Sequence, residues 1–332
     1  MTTDRAMSAV WEEKGRIALE TRHLKRLEEN EVKVQVEASG LCGTDIHIAA
    51  GETPNAKLGV VIGHEFGGTV VEVGANVVGL AVGERVVIDP NIPCHMCSAC
   101  RAARPHLCER PQAVGVSRDG GMAEYAVLPA EQAYKIPAEM PAEAAALTEP
   151  LACALHAVDL AGLHPGQTAI VLGAGPIGIL CTSLLMASGA AKVIVSEPNA
   201  GRRERVRALG AEAIEPAQLA GRKADVALEC VGRAETMRAA VDAAIPGGTV
   251  VWVGVAHPDT EISIKPFDIY QRELTIRGTY TNPFTMERAI ALLASKQIRW
   301  EDVVTHSFPL AQFEEAWKVH RAGTGLKVCI KP

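Results

Sequence analysis

Polar and apolar residues alternate with period two in Glu31-Val32-Lys33-Val34-Gln35-Val36-Glu37, the pattern of a strand with one buried face. Pieces of similar texture at 69–73, 84–88 and 124–128 are separated by Gly, Asn and Pro. From Ser8 onward this predicts an all-β barrel or sandwich. The residues before Met7 carry no apolar pattern and read as a frayed leader. Near Met140 the texture changes: 141–146 opens a helix with proline in its first turn, and a second helical stretch runs over 151–161. From Thr168 apolar strands alternate with amphipathic helices. Strands are predicted at Thr168–Leu172, Lys192–Ser196, 225–229, 249–254 and 274–278, with helices ending at Ser188 and covering 202–209, 234–244 and 286–295. Repeated βα units imply a parallel sheet with helices on both faces. There is no internal repeat and no low-complexity tract.

At 332 residues the chain exceeds what one core ordinarily supports, so two domains are expected. A net charge of -6 weighs against the basic face that nucleic acid or an anionic membrane would need, so neither is an expected partner. Apolar runs such as 177–186 are broken by glycine or polar residues before membrane-spanning length. Trp11-Glu12-Glu13-Lys14-Gly15-Arg16 interrupts any secretory-signal pattern, which points to the cytoplasm. In that setting nine cysteines read as metal ligands or buried thiols rather than disulfides.

Gly173-Ala174-Gly175-Pro176-Ile177-Gly178 follows the strand Thr168–Leu172 and opens a helix, the context in which a G-x-G-x-x-G match carries meaning. Gly173 makes the turn, Gly175 admits a pyrophosphate to the backbone, and Gly178 lets helix and strand pack closely. With Pro176 and Ile177, these residues place phosphates against free N–H groups at a helix N-terminus. Glu197, at the end of the next strand, stands where a carboxylate binds a ribose diol and repels a 2'-phosphate, favouring NAD over NADP. Arg202 and Arg203 follow. They are either recruits for a phosphate or a solvated helix face.

Cys94, Cys97, Cys100 and Cys108 supply four thiolates in one short loop, enough for a closed tetrahedral zinc site that leaves no room for substrate. Such a lobe is structural, and a redox Cys-x-x-Cys pair is the alternative. His95 and His106 are surplus to it and read as surface residues. Cys153, Cys181, Cys230 and Cys329 sit among apolar neighbours as inert thiols.

Gly63-His64-Glu65-Phe66-Gly67-Gly68 sets an imidazole beside a carboxylate between glycines. Adjacent strand residues point to opposite faces, so both reach one ion only if the backbone leaves strand geometry, which glycine permits. Cys42 and Glu149 are the candidate partners. Together with Gly40-Leu41-Cys42-Gly43-Thr44-Asp45-Ile46-His47, the cysteine lobe, Gly120-Gly121-Met122-Ala123-Glu124-Tyr125, Glu149-Pro150-Leu151, the glycine-rich turn, Val304-Thr305-His306-Ser307-Phe308-Pro309-Leu310 and Gly325-Leu326-Lys327, this stretch resembles the zinc-dependent medium-chain alcohol and polyol dehydrogenases, most closely the sorbitol dehydrogenase type. The resemblance covers nearly the whole chain.

It implies an α/β plus β fold: a GroES-like β-barrel catalytic domain at 1–150 and 290–332, with the zinc lobe near 90–110, and a Rossmann doubly wound parallel-sheet NAD-binding domain at 151–289. It also implies a catalytic zinc held by Cys42, His64 and Glu65 besides the structural zinc, and a homodimer or homotetramer. Simple alcohol dehydrogenases of this superfamily often carry a second cysteine ligand where this chain has Glu149. A thiolate and a carboxylate already neutralise Zn²⁺, so Glu149 is expected to hold the metal's water or exchange with Glu65, unless it is a helix-start acid. By resemblance Thr44 takes the substrate proton and passes it through the cofactor ribose to His47; as alternatives, Thr44 caps a helix and His47 is a surface residue. Asp45 is a candidate acceptor for a ligand imidazole. The reaction implied is NAD-dependent oxidation of a secondary hydroxyl of a polyol or sugar alcohol to a ketone. Alternatives are an L-threonine 3-dehydrogenase, a 2,3-butanediol-type vicinal diol dehydrogenase, and a non-catalytic nucleotide-binding protein. Chain position offers Ile48, Arg118 and 279–282 as pocket-lining candidates.

Overall fold

Strand Glu31–Gly40 organises the first half of the computed structural model, which describes residues 4–332. Its backbone pairs antiparallel with Glu65–Val73, with Tyr125–Pro129 and, at its far end, with Lys327–Lys331. Gly40 therefore faces Glu65 across one edge and Cys329 across the other. The same sheet continues through Arg85–Ile88 to Ala133–Lys135, and Val304–Pro309 adds a parallel neighbour beyond Lys327–Lys331. Val32, Val34 and Val36 turn one face of the central strand onto Phe66, Val70, Val86, Ile88, Ala126 and Leu128, as period-two patterning requires.

A second core in this unit joins distant segments. Ala9, Trp11, Leu41, Ile48, Val60, Ile62 and Met122 pack against Leu310, Phe313, Ala316, Val328 and Ile330. The helix Phe313–Ala322 carries Phe313 and Ala316 on one face, three residues apart, which is the spacing a buried helical stripe needs.

The strand Arg5–Glu13 pairs with Arg16–His23 in a hairpin, and Ala6 is buried. This corrects the frayed leader for residues 5 and 6. Arg5 and Ala6 lack an apolar pattern of their own, but main-chain pairing to His23 and Arg22 orders them. Asp4 is likewise tied down, its carbonyl accepting the Leu24 N–H at 2.9 Å, and residues 1–3 of that expected leader lie outside the described residues.

Six parallel strands form the second sheet, in the order Glu212–Ile214, Lys192–Ser196, Thr168–Leu172, Ala224–Glu229, Ala244–Trp252, Thr275–Gly278. Numbered along the chain this is 3-2-1-4-5-6, the doubly wound dinucleotide-binding arrangement, whose order reverses at Thr168–Leu172. Ligands of such sheets bind at the carboxyl ends of the strands near that reversal. Ile170, Leu172, Ile194, Ala227 and Val250 are buried with Ala240 and Val241 of the helix Ala234–Ala243.

The chain divides into two compact units, Met1–Glu149 with Met286–Pro332, and Pro150–Thr285. Among the described residues no helix is long and apolar enough to cross a membrane.

Phe313 is 1% exposed in the second core of the first unit. Phe313→Ala is expected to cost about 3–5 kcal/mol. The loss should appear in denaturant melts as an earlier transition of the first unit, with the 150–285 unit little changed in hydrogen-exchange protection.

Candidate functional site

Gly63 has φ +92°, and a Cβ there would press on the Met122 backbone N and the Ser39 hydroxyl. Only glycine meets both conditions cheaply. The turn it makes delivers His64 just ahead of the strand Glu65–Val73, so the two side chains escape strict strand alternation. Across from them Cys42 N-caps the helix Gly43–Ala50 immediately after the central strand. One ligating atom each from Cys42, His64 and Glu65 lies within 4.8 Å of the others. A sulfur, a nitrogen and a carboxylate oxygen at that separation are a zinc donor set with a position left open.

The surroundings fit a cation. Asp45 Oδ2 accepts the Cys42 N–H at 2.8 Å, while its Oδ1 faces His64 Nδ1 at 3.8 Å, and neither of those two buried atoms has a hydrogen-bond partner. An imidazole offering Nε2 to a metal and Nδ1–H to Asp45 would satisfy both. Burial pushes the Asp45 carboxyl up. Burial opposes a charged His64, yet Cys42, Asp45 and Glu149 outweigh it and raise its pKa well above the usual value. The field that favours a proton there also favours a divalent ion. Glu149, buried in the first turn of the helix Thr148–Ala161, belongs to this field.

Thr44 and His47 lie three residues apart on the Gly43–Ala50 helix, hence on one face. The Cys42 thiol approaches Thr44 Oγ1 at 3.7 Å. Thr44 is not the cap, because Cys42 and Asp45 form the capping box. His47 is half exposed, and its Nδ1 meets Glu52 Oε2 at 2.8 Å.

Two further residues complete the site. Lys327, 3% exposed, donates to Leu41 O at 3.1 Å, Glu65 Oε1 at 2.7 Å and Glu65 Oε2 at 2.5 Å. Burial opposes its charge, but the Glu65 carboxylate outweighs burial and raises the pKa. His320 Nε2 donates to Cys42 O at 3.0 Å. Sequence reasoning met Lys327 only as part of a terminal motif and passed over His320. Long-range pairing leaves no local mark in either case. The one available signal was the lysine that opens the strand Lys327–Lys331 directly before Val328, Cys329 and Ile330, where burial would ask for a counter-charge.

The pocket assignment at Ile48 is corrected. Ile48 is fully buried, on the inner face of its helix among Trp11, Leu41 and Val60. Arg118 is engaged by Glu31 at 2.7 Å and Gln112 at 3.4 Å. His106 is half-buried rather than a surface residue.

In the second unit Gly173 has φ +95° and closes the turn after Thr168–Leu172. A Cβ on Gly178 would overlap the Gly173 carbonyl, whereas one on Gly175 would meet nothing within 4 Å. The first relation is close helix–strand packing and the second is open room beside the N-terminus of Pro176–Ala187, where Pro176 and Ile177 begin the helix. Glu197 is buried. Its Oε2 accepts the Ala174 N–H and its Oε1 the Asn199 N–H, each at 2.8 Å. Arg202 donates its backbone N–H to the Asn199 cap at 3.0 Å. Arg203 is bound to Glu197 O, Pro198 O and Glu215.

The Cys94, Cys97, Cys100 and Cys108 sulfurs also lie within 4.8 Å of one another. Backbone N–H groups of Cys94 and Arg110 point at Cys108 Sγ, at 3.2 and 3.4 Å. N–H groups of Met96 and Cys97 hold Cys94 down at about 6, while burial pushes Cys100 up to about 12. Four thiols this close share protons unless a cation allows all to ionise.

Residues 28–138 match the family described as alcohol dehydrogenase GroES-like domain, and residues 176–295 that described as zinc-binding dehydrogenase. D-altritol 5-dehydrogenase of Agrobacterium fabrum is 34% identical over 308 residues, covering 90% of this chain and 91% of its own. L-threonine 3-dehydrogenase of Thermococcus kodakarensis is 34% identical over 321 residues, covering 91% of each chain. Among solved structures, a protein of Sinorhizobium meliloti 1021 described as a zinc-binding dehydrogenase and bound to NADP has a TM-score of 0.95 at 36% identity, covering 99% of this chain and 100% of its own.

Cys97→Ser should lower the zinc content by one ion per chain and open residues 90–110 to proteolysis. Metal analysis by mass spectrometry with fragment mapping checks both.

Proposed function

The chain belongs to the family of zinc-binding, GroES-like alcohol dehydrogenases, and from that premise we propose that it oxidises a secondary hydroxyl of a polyol or sugar alcohol to the ketone, reversibly, with NAD. The observation that carries this reading is the convergence of Cys42, His64 and Glu65 donor atoms beside Asp45. In it Cys42, His64 and Glu65 hold the catalytic zinc, and Cys94, Cys97, Cys100 and Cys108 a structural one. When bound, the catalytic zinc supplies a Lewis acid to the substrate oxygen, and the nicotinamide supplies the hydride acceptor.

The chain's own groups do the rest. Thr44 accepts the hydroxyl proton and His47 carries it to solvent, with Glu52 orienting the ring through Nδ1. Glu149 adds negative charge on the substrate side and holds water there. Gly173, Gly175 and Gly178 shape the pyrophosphate cradle with Pro176 and Ile177. Glu197, already turned onto the cradle through Ala174, takes the ribose diol. The Arg203 guanidinium is bound to its own turn, which lessens what is on hand to meet a 2'-phosphate. That supports NAD, with Arg202 at the mouth of the adenosine side, although the Sinorhizobium protein carries NADP.

A polyol substrate draws support from the D-altritol relative and from a carboxylate, Glu149, where simple alcohol dehydrogenases often use cysteine. The threonine dehydrogenase relative, at the same identity, favours a second reading in which the substrate is a vicinal amino alcohol or diol. The clustered donors weigh against a non-catalytic nucleotide-binding protein. We place the enzyme in the cytoplasm as a homodimer or homotetramer.

A panel of C3 to C6 polyols, vicinal diols and threonine, assayed with NAD and NADP by nicotinamide absorbance, tests this directly. The highest kcat/KM is expected for a polyol with NAD. A higher value for threonine would transfer the assignment to the second reading, and a preference for NADP would remove Glu197 as the diol acceptor. Cys42→Ser should leave one zinc per chain and reduce turnover by about a thousand-fold or more.

A further inference from the structure

Both carboxylate oxygens of Glu65 accept hydrogen bonds from one ammonium. Lys327 Nζ lies 2.7 Å from Oε1 and 2.5 Å from Oε2, with the Leu41 carbonyl as its third partner at 3.1 Å. The pair is sealed: Glu65 is 1% exposed and Lys327 3%, and the Gly40 backbone closes on Oε2 so tightly that a Cβ at residue 40 would overlap it. Yet a Glu65 oxygen also belongs to the donor cluster with Cys42 and His64. One carboxylate thus faces two cation positions.

We infer that Lys327 is a positioning residue that competes with the metal for Glu65 and so sets how firmly the third protein donor holds it. The inference rests on the reading that Cys42, His64 and Glu65 bind zinc. Two effects act in the same direction. The ammonium's charge-assisted hydrogen bonds stabilise the carboxylate when it is off the metal, and its positive charge repels a dication in a buried, weakly screened site. Lys327 also offsets part of the negative charge that Cys42, Glu65, Glu149 and Asp45 bring to the site as ions. Without the lysine the surplus negative charge would grip the dication harder and make it a poorer Lewis acid. A lysine that served only as a strap between Lys327–Lys331 and Leu41 would do the reverse, because its loss would loosen the ligand loop.

The direction of metal retention separates these roles. In full-length Lys327→Met, loss of the catalytic metal to a chelator should slow by about ten-fold, the scale of one charge-assisted hydrogen bond. In the cobalt(II)-substituted protein the visible absorption bands should shift, as carboxylate binding becomes permanent, and kcat should fall with KM little changed. Lys327→Arg, which keeps the charge, should release metal at the wild-type rate. Unchanged or faster release from Lys327→Met overturns the inference. Should that variant fold poorly, Lys327→Met combined with Glu65→Gln removes the buried charge, and its metal release should be slower than that of Glu65→Gln alone by clearly less than ten-fold, because only the ammonium's repulsion of the dication is then lost. A slowing of ten-fold or more without the Glu65 carboxylate would show that Lys327 does not act through Glu65 and would equally overturn it. The wild-type metal count separates the levels of failure: one ion per chain removes the zinc reading and this inference together, whereas two ions with unchanged retention remove only this inference.

Discussion

The ion pair between Lys327 and Glu65 is the constraint on which the first unit's site depends. Taking both charges out of water costs several kcal/mol for each ion, and their mutual attraction offsets this only with close geometry and further hydrogen bonds. The sheet supplies that geometry. Gly40 pairs with Glu65 on one side and Cys329 on the other, which brings the two flanking strands to the end of one central strand. Leu41 O takes the ammonium's remaining reach, and the Leu41 N–H is held by Val328 O at 2.9 Å. His320 fixes the next carbonyl, that of Cys42. The donor loop is therefore held from behind by residues of the returning chain before any metal arrives.

Local patterning made much of the fold readable. Thr168–Leu172 and Lys192–Ser196 were recoverable to the residue because a fully buried parallel strand is a short apolar run cut off by turn residues. The alternation in 31–37 likewise marked the central strand, though its continuation to Gly40 was hidden because Ala38, Ser39 and Gly40 break the alternation while being buried on both sides. Arg5 and Ala6 escaped notice for the opposite reason: their order comes from main-chain pairing, which side-chain polarity does not encode.

The candidate site divides along the same line. Cys42, His64 and Glu65 could be named from donor chemistry and neighbouring glycines, and the structure brings their ligating atoms together. Lys327 and His320 could not, since what each does depends on a partner 262 or 278 residues away. Ile48 misled because proximity in sequence to His47 suggests proximity in function, whereas successive helical residues diverge by about 100° and Ile48 turns into the core.

The returning strand also sets an order of assembly. Glu65 leaves the ribosome 262 residues before Lys327, and at about 5–20 residues per second the interval is roughly ten to fifty seconds. Throughout it the whole 150–285 unit, whose six strands need nothing from outside that segment, can fold. The first unit meanwhile has a buried acid without its cation and, at the Gly40 end of its central strand, an open hydrogen-bonding edge of the kind that invites pairing with other chains. Its most vulnerable species is thus a nascent one, and a chaperone covering that edge would protect it until Lys327–Lys331 pairs there.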